Sequence, residues 1–378
     1  MDKKTKVLFI GGARYSKPLN QTNAKKVKAL SQKLDMTFIS LHNGKGKLHF
    51  NENADFYLIS SRVPNYLRQA YFLIYAFLKG ILLVGRKDIS IIVCQSPFEG
   101  IAGTFIKILQ PRIKLIIEIH GEWDKAPVVY KRIGSGFKWI TDLMGKWALN
   151  KSDAIRIISK EIEKVVGEFQ KPKFIFPTYT DIEIFFDSKE KEIIQNRFIF
   201  VGQIIHLKGI DTLIDAVSIA KEKHTKLEVL IIGSGEEKGM FANRVKTLKL
   251  DNEFIFLGNK TQGEIADFIH SSIALILPSI TEGLPRVILE AFACSRPAIA
   301  SCVGGIPELI IDGETGLLIQ PADPESLAEK ILFAFNNKGK MKIMGLNGKN
   351  FVEENFSTIK FAENYFQMIE KTLGQKIG

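Results

Sequence analysis

Short runs of β-branched and aromatic residues alternate with amphipathic stretches of helical period along the whole chain. This alternation constrains the fold more than any other feature. Strand, helix and strand in series make a crossover unit, and many such units fit only a parallel sheet covered by helices. The first half predicts strands at Lys6–Ile10, Met36–Ser40, Phe56–Ile59, Ile89–Cys94, Leu115–Ile119 and Ala154–Ile158, with helices such as Gln21–Leu34 and Phe98–Ile108 between them. The second half predicts strands at Arg197–Val201, Leu227–Ile232, Phe254–Leu257, Ile273–Leu277 and Ala298–Ala300. Its helices fall at Gly209–Lys223, Gly239–Leu248, Gln262–Ser271 and Arg286–Cys294. The pattern is α/β, with two doubly wound Rossmann-like units in series. A charged stretch, Asp187–Glu192, precedes a fresh strand and sets the expected domains at 1–193 and 194–355. A last helix within 356–378, roughly Ser357–Leu373, could pack on either unit and is assigned to the first.

Composition narrows the class. A length of 378 residues suits two domains, and 46% apolar residues exclude wholesale disorder. Cys94, Cys294 and Cys302 are too few and too scattered for a disulfide framework or a zinc site, which implies a reducing, cytoplasmic setting. Met1-Asp2-Lys3-Lys4 resembles the start of a signal peptide, but the apolar run Val7–Ile10 stops at Gly11-Gly12. No uninterrupted apolar segment reaches spanning length; Ala70–Leu78 and Ile81–Val84 are divided by Lys79 and Gly80.

Charge is uneven. Residues 1–195 carry 32 Lys and Arg against 19 Asp and Glu, an excess of +13, whereas residues 196–378 carry 20 against 22. The first domain is therefore expected to meet an anionic surface, and a solvated basic face is the plainer alternative. Tyr66, Tyr71, Phe72, Tyr75 and Phe77, flanked by Arg68, Lys79, Arg86 and Lys87, suggest an interfacial helix on the inner face of a membrane; a buried core helix is the alternative. No nucleic-acid reader motif accompanies the basic half, so nucleic acid is not expected as a partner.

Ligands of open parallel sheets gather beyond the carboxyl ends of the strands, so residues just after strands deserve the closest inspection. After Ile273–Leu277 comes Glu282-Gly283-Leu284-Pro285-Arg286, with Glu290 further into the helix that Pro285 introduces. Gly283 permits close approach of a ligand, and the free N–H groups at the helix start suit a phosphate. Two carboxylates straddling such a site suit hydroxyl-rich groups on either side of the phosphate. After Arg197–Val201 come Gly202, Gln203 and then Lys208-Gly209, where a lysine is a point charge for a diphosphate. His120 follows the first-half strand ending at Ile119, Gly11-Gly12 follow the first strand, and Gly233-Ser234-Gly235 follow Leu227–Ile232. Singly, each also fits an ordinary solvated loop or structural residue.

The run Glu282-Gly-Leu-Pro-Arg-Val-Ile-Leu-Glu290-Ala, continued by Ser295-Arg296-Pro297, Gly304-Gly305-Ile306-Pro307-Glu308 and Gly313-Glu314-Thr315-Gly316, resembles the paired-glutamate motif of glycosyltransferase family 4. These are group 1, retaining, nucleotide-sugar-dependent enzymes. The resemblance covers nearly the whole chain. It implies the GT-B fold, with two facing domains, a cleft between them and a C-terminal helix that crosses back. It further implies that Glu282 binds donor sugar hydroxyls, Glu290 the nucleotide ribose and Lys208 the diphosphate, while His120 faces the sugar without acting as nucleophile. The Gly11-Gly12 loop would lie beside the diphosphate and acceptor, and Lys260 near the base. Glu122 and Trp123 could belong to the acceptor site. Where the family usually has a basic residue after the glycine, this chain has Gln203, so Arg286 or a first-domain lysine would have to compensate.

The expectation is a retaining, metal-independent glycosyltransferase with no cofactor beyond its UDP-sugar or GDP-sugar donor. Its acceptor would be a glycan or lipid-linked saccharide, in polysaccharide or glycolipid synthesis. A nucleotide-sugar epimerase of the same fold and a non-catalytic partner subunit are the alternatives.

Overall fold

The computed structural model describes residues 4–44, 46–60, 65–120, 135–186, 192–194, 196–223 and 227–377. Glu122, Trp123 and the side chain of Tyr66 lie outside the described residues. The chain forms two compact units, 1–179 with 358–378, and 180–357.

In the first unit the strands are β1 (Thr5–Tyr15), β2 (Leu34–His42), β3 (His49–Asn51), β4 (Asp55–Ile59), β5 (Ile91–Cys94), β6 (Lys114–Ile119), β7 (Ala154–Ile157) and β8 (Lys173–Ile175). Its helices are α1 (Gln21–Leu30), α2 (Asn65–Lys87), α3 (Pro97–Leu109), α4 (Ser135–Lys151) and α5 (Lys160–Val166). The sheet order is β3-β4-β2-β1-β5-β6-β7-β8, parallel except for the β3–β4 pair. The strands β3 and β8 are short edge segments that carry no strong alternation of their own, which is why the sequence pattern passes over them. The predicted first helix ends at Leu30, because Leu34 already begins β2.

Two expectations change here. Gly11 and Gly12 do not make a strand-to-helix turn. β1 runs on to Tyr15, and the glycines lie in an irregularity where pairing with β2 lapses after Ile10↔Ile39 and resumes at Arg14↔Leu41. The stretch divided by Lys79 and Gly80 is one continuous helix, and its segment Arg68–Lys87 is long and apolar enough to cross a membrane by length and composition.

One face of this sheet is paved with aromatic rings placed by register. Phe9 pairs with Phe38 across β1–β2, Phe38 with Phe56 across β2–β4, and Phe50 with Phe56 across β3–β4. Their centroids stand 4.8, 4.9 and 4.7 Å apart. Such a face must be covered, since each buried ring contributes roughly 2–3 kcal/mol. The cover is the last helix, Thr358–Leu373, whose Phe361, Tyr365, Phe366 and Ile369 recur at helical spacing and are buried in that cluster.

The second unit begins with a short helix, α6 (Glu183–Phe186). The boundary therefore falls after Tyr179, not at 193, because Ile182 and Phe185 are already buried in the second core. There follow β9 (Arg197–Val201), α7 (Ile210–Lys223), β10 (Glu228–Ile232), α8 (Lys238–Thr247), β11 (Phe254–Gly258), α9 (Gln262–His270), β12 (Ala274–Leu277) and α10 (Arg286–Ala293). Next come β13 (Ala298–Ser301), α11 (Ile306–Leu309), β14 (Gly316–Ile319), α12 (Pro324–Asn336) and α13 (Lys338–Phe356). The chain then returns to the first unit as α14, the covering helix already described. The second sheet is parallel, in the order β11-β10-β9-β12-β13-β14. Its strand order reverses between β9 and β12.

In the first unit, Glu118 on β6 and Arg156 on β7 are register partners in otherwise apolar strands. Each side chain is only 2% exposed, and Arg156 Nη1 lies 3.0 Å from Glu118 Oε1. The same guanidinium donates to the carbonyls of Phe176 and Pro177 and lies over the Phe176 ring. A buried ion loses several kcal/mol of hydration, so removing one partner is far worse than removing both. Arg156→Met is expected to destabilise the first unit by about 3–5 kcal/mol, and adding Glu118→Met to recover most of that loss. All three tryptophans lie before residue 180. Urea unfolding followed by tryptophan fluorescence therefore reports this unit; equal loss in the single and double variants would contradict the expectation.

Candidate active site

The loops after β9, β10, β12 and β13 share one edge of the second sheet and meet at backbone distance. Gly209 sits at φ 68°, and a Cβ there would lie 1.9 Å from the Pro278 carbonyl oxygen. Gly233 sits at φ 138°, where a Cβ would lie 1.9 Å from the Gly202 oxygen. No other residue type fits either position. Backbone hydrogen bonds stitch the same loops together. Ile280 N donates to Leu207 O (3.0 Å), Ile204 N to Ser234 O (3.0 Å) and Gly305 N to Gly283 O (2.8 Å).

This stitching brings together two residues far apart in sequence. Lys208 closes a single 3₁₀ turn, His206–Lys208, and its Nζ lies 2.6 Å from Glu282 Oε1. Ser279 donates its hydroxyl to the same oxygen at 2.8 Å. The pair stands beyond the carboxyl ends of β9 and β12, at the switch point where sheets of this type bind ligands. A lysine ammonium beside a carboxylate offers one group to a phosphate and one to sugar hydroxyls.

The neighbouring sequence candidates occupy graded positions. Gly202 and Gly233 are in contact, Gln203 is exposed, and Gly283 leaves open space where a side chain would stand. Leu284 packs against the core, Pro285 is the N-cap of α10, and Arg286 is its exposed first residue. Glu290 is half-buried; burial pushes its carboxyl pKa up, opposed by Arg286 one turn earlier. Lys260 follows β11, at the far edge of the sheet, and its amine lies 3.3 Å from Glu264.

The first unit holds the remaining candidates. His120 follows β6, with Nε2 3.1 Å from Glu118 Oε2 and Nδ1 3.2 Å from Thr178 Oγ1. Burial by itself would raise the Glu118 carboxyl. The Arg156 guanidinium and the His120 hydrogen bond outweigh that effect and hold it well below the usual carboxylate range. Glu118 is thus an ionised acceptor, which places a proton on Nε2 of His120. Tyr365 of α14 also donates to Glu118. Sequence inspection of loop ends does not find Glu118, Arg156, Tyr365 or Ser279. The available signal was a lone acid and a lone base, each embedded in an apolar strand.

Gly11 and Gly12 face the start of α3, where Gln95 lies against the first and Glu99 against the second. Burial raises the Glu99 carboxyl to about 7, partly offset by the backbone N–H groups of Glu99 and Gly12. Ser96 donates its hydroxyl to the same carboxylate. Among the described residues, no group of three or more His, Cys, Asp or Glu side chains is arranged to hold a metal ion.

A sequence model of the family described as glycosyl transferases group 1 matches residues 181–351, the unit that carries Lys208 and Glu282. An uncharacterized glycosyltransferase of Methanocaldococcus jannaschii is 31% identical over 310 residues, covering 80% of this chain and 82% of that protein. The chain belongs to the group 1 glycosyltransferases. It is also 25% identical to the capsular polysaccharide biosynthesis glycosyltransferase CapM of Staphylococcus aureus, over 75% of this chain and 77% of that protein. Among solved structures, Anabaena Alr3699/HepE in complex with UDP superposes with a TM-score of 0.73 at 15% identity, covering 97% of this chain and all of that one. That likeness establishes the GT-B fold.

A glutamate whose folded-state pKa exceeds its unfolded value of 4.5 costs stability as pH rises between the two, because the native state holds the extra proton. For Glu99 the cost should be about 1–3 kcal/mol by pH 8. Glu99→Gln, which imitates the protonated form, is expected to raise the melting temperature of the first unit relative to the natural chain at pH 8 and not at pH 5. A variant-minus-natural difference that stays constant across that range would refute this.

Proposed function

We propose that this glycosyltransferase transfers a sugar, with retention of anomeric configuration, from a nucleoside diphosphate to a hydroxyl of a glycan or lipid-linked saccharide. The observation that carries the reading is the Lys208–Glu282 pair, 2.6 Å apart at the switch point of the second sheet. A diphosphate arriving there would compete for the lysine and free Glu282 to accept hydrogen bonds from sugar hydroxyls. The ribose falls to Glu290, whose carboxyl lies further along α10. UDP is the first nucleotide to test, since the superposed Anabaena protein was solved with UDP. A glycan acceptor fits the similarity to a capsular polysaccharide enzyme.

The bond from the anomeric carbon to the β-phosphate oxygen breaks, and the departing diphosphate keeps the electron pair. The acceptor oxygen bonds to the same face of the sugar, and its proton passes to the departing phosphate. Lys208, the backbone N–H groups at the start of α10 and the exposed Arg286 are the groups assigned to the developing charge, without a metal. Gln203 adds no charge, which increases the demand on Lys208 and Arg286. His120, with its proton held on Nε2 by Glu118, is assigned to steadying the transferred sugar.

Lys208→Ala is expected to lower kcat/KM for the nucleotide sugar by about 10²–10³-fold with the protein still folded, its melting temperature only modestly lowered by the unpaired Glu282. Glu282→Gln is expected to act mainly on kcat, through contacts to the reacting sugar. A thermal-shift series with UDP, GDP, ADP and their sugars identifies the base. Stabilisation by none of them, or full turnover in Lys208→Ala, would remove the basis for the proposal.

A further inference from the structure

A helix on the outside of an α/β unit ordinarily turns its polar side to water. The helix α2 does the reverse. Its inner side is anchored, with Phe72, Ala76, Leu83 and Val84 buried. Gly80 lets Ile106 of α3 pack against the helix backbone, where a Cβ would lie 2.5 Å from Ile106 Cδ1. Its outer side carries Tyr71, Ile74, Leu78 and Leu82, which are 47%, 60%, 55% and 54% exposed. These residues recur about once per turn, and the helix contains no Asp or Glu.

The same surface continues onto the neighbouring helices. Phe105, Ile108 and Leu109 of α3 and Leu143 of α4 are exposed. Ring contacts Phe77–Phe105 (6.2 Å) and Phe105–Trp147 (5.3 Å) bridge the grooves between the three helices, so their outer faces form one strip. The charge around it is predominantly positive, with Lys87, Lys107 and Lys146 paired to Asp55, Asp153 and Glu168. The sequences of α2, α3 and α4 together carry eight Lys and Arg against only Glu99 and Asp142. Arg68 stands near one end of α2, and Arg86 and Lys87 at the other. Beside Ile108 a groove of about 770 Å³ is lined by Lys107, Lys151 and Lys171, together with Asp153.

We propose that this three-helix face seats the first unit on an anionic lipid bilayer, with α2 lying in the plane of the interface. An apolar strip bounded by cations matches the layered chemistry of such a surface, acyl chains beneath negatively charged headgroups. Spanning is disfavoured despite the length of α2, because its inner side is part of the core and crossing the bilayer would strip it from β1 and α3. None of the residues named on this face is assigned to sugar transfer, so membrane docking and transfer can be tested separately.

The test is cosedimentation of the full chain with vesicles of phosphatidylcholine alone and with about 30% phosphatidylglycerol added. Binding is expected on the mixed vesicles and much less on the neutral ones. Ile74→Glu with Leu78→Glu is expected to reduce partitioning more than about tenfold with an unchanged melting temperature, since both side chains are exposed. Ile343→Glu, at an exposed apolar residue of the second unit, should leave binding intact. The proposal is overturned if the chain ignores both vesicles, or if the double variant binds like the natural chain. It is equally overturned if the face instead holds two copies together, seen as a dimer in sedimentation that the double variant dissolves. Resistance to alkaline carbonate extraction would replace docking with spanning.

Discussion

The approach of four loops to backbone distance at one edge of the second sheet determines what that unit can do. Parallel strands deliver all their carboxyl ends to the same edge, so the loops that follow compete for the same space. Glycine at positions 209 and 233 removes the side chains that would hold them apart. Only then do Lys208 and Glu282, 74 residues apart, stand at hydrogen-bond distance. The chemistry of the site follows from this crowding. The ammonium and the carboxylate are held in place by each other, by the Ser279 hydroxyl on Glu282 and by the loop stitching.

The first unit solves a different problem. His120 emerges at a strand end with a 35% exposed side chain, and an imidazole so placed would sample several orientations. Glu118 restrains it from two residues earlier, and Arg156 and Tyr365 restrain Glu118. Tyr365 belongs to the helix that returns after the whole second unit has been built. The C-terminal residues therefore contribute both the cover of an aromatic sheet face and a hydrogen bond to the group that holds the histidine. A buried ion pair gives little net stability for its desolvation cost; here it also sets the tautomer of a neighbouring ring.

The outer face of α2 carries four large exposed apolar residues, Tyr71, Ile74, Leu78 and Leu82, more than any other described helix of this unit. The buried apolar residues of α1 and α14 turn inward, toward the aromatic ladder, and Ile359 of α14 is exposed. Those on α2 point both ways, so the helix carries more apolar surface than its own core can use. Composition alone leaves open a core helix and an interfacial one; in the structure one side of the helix is buried in the core and the other is apolar and exposed.

The sequence by itself determined the alternation of strands and helices, the two-unit α/β class and the position of the loops beyond the strand ends, because periods of 2 and 3.6 residues are local properties that survive without any knowledge of neighbours. The Glu282–Glu290 motif was legible for the same reason. Short edge strands such as β3 and β8 were not, since they depend on partners to be strands at all. The boundary after Tyr179 escaped because Ile182 and Phe185 carry no local mark of which core receives them. The continuation of β1 through Gly11 and Gly12 required a neighbour, β2, to resume pairing beyond the irregularity. Tertiary structure alone decided that Lys208 meets Glu282, that Glu118 meets Arg156 and that the last helix covers the first sheet. Pairings of this kind are set by register and strand order, which join residues distant along the chain and leave no periodic trace in it.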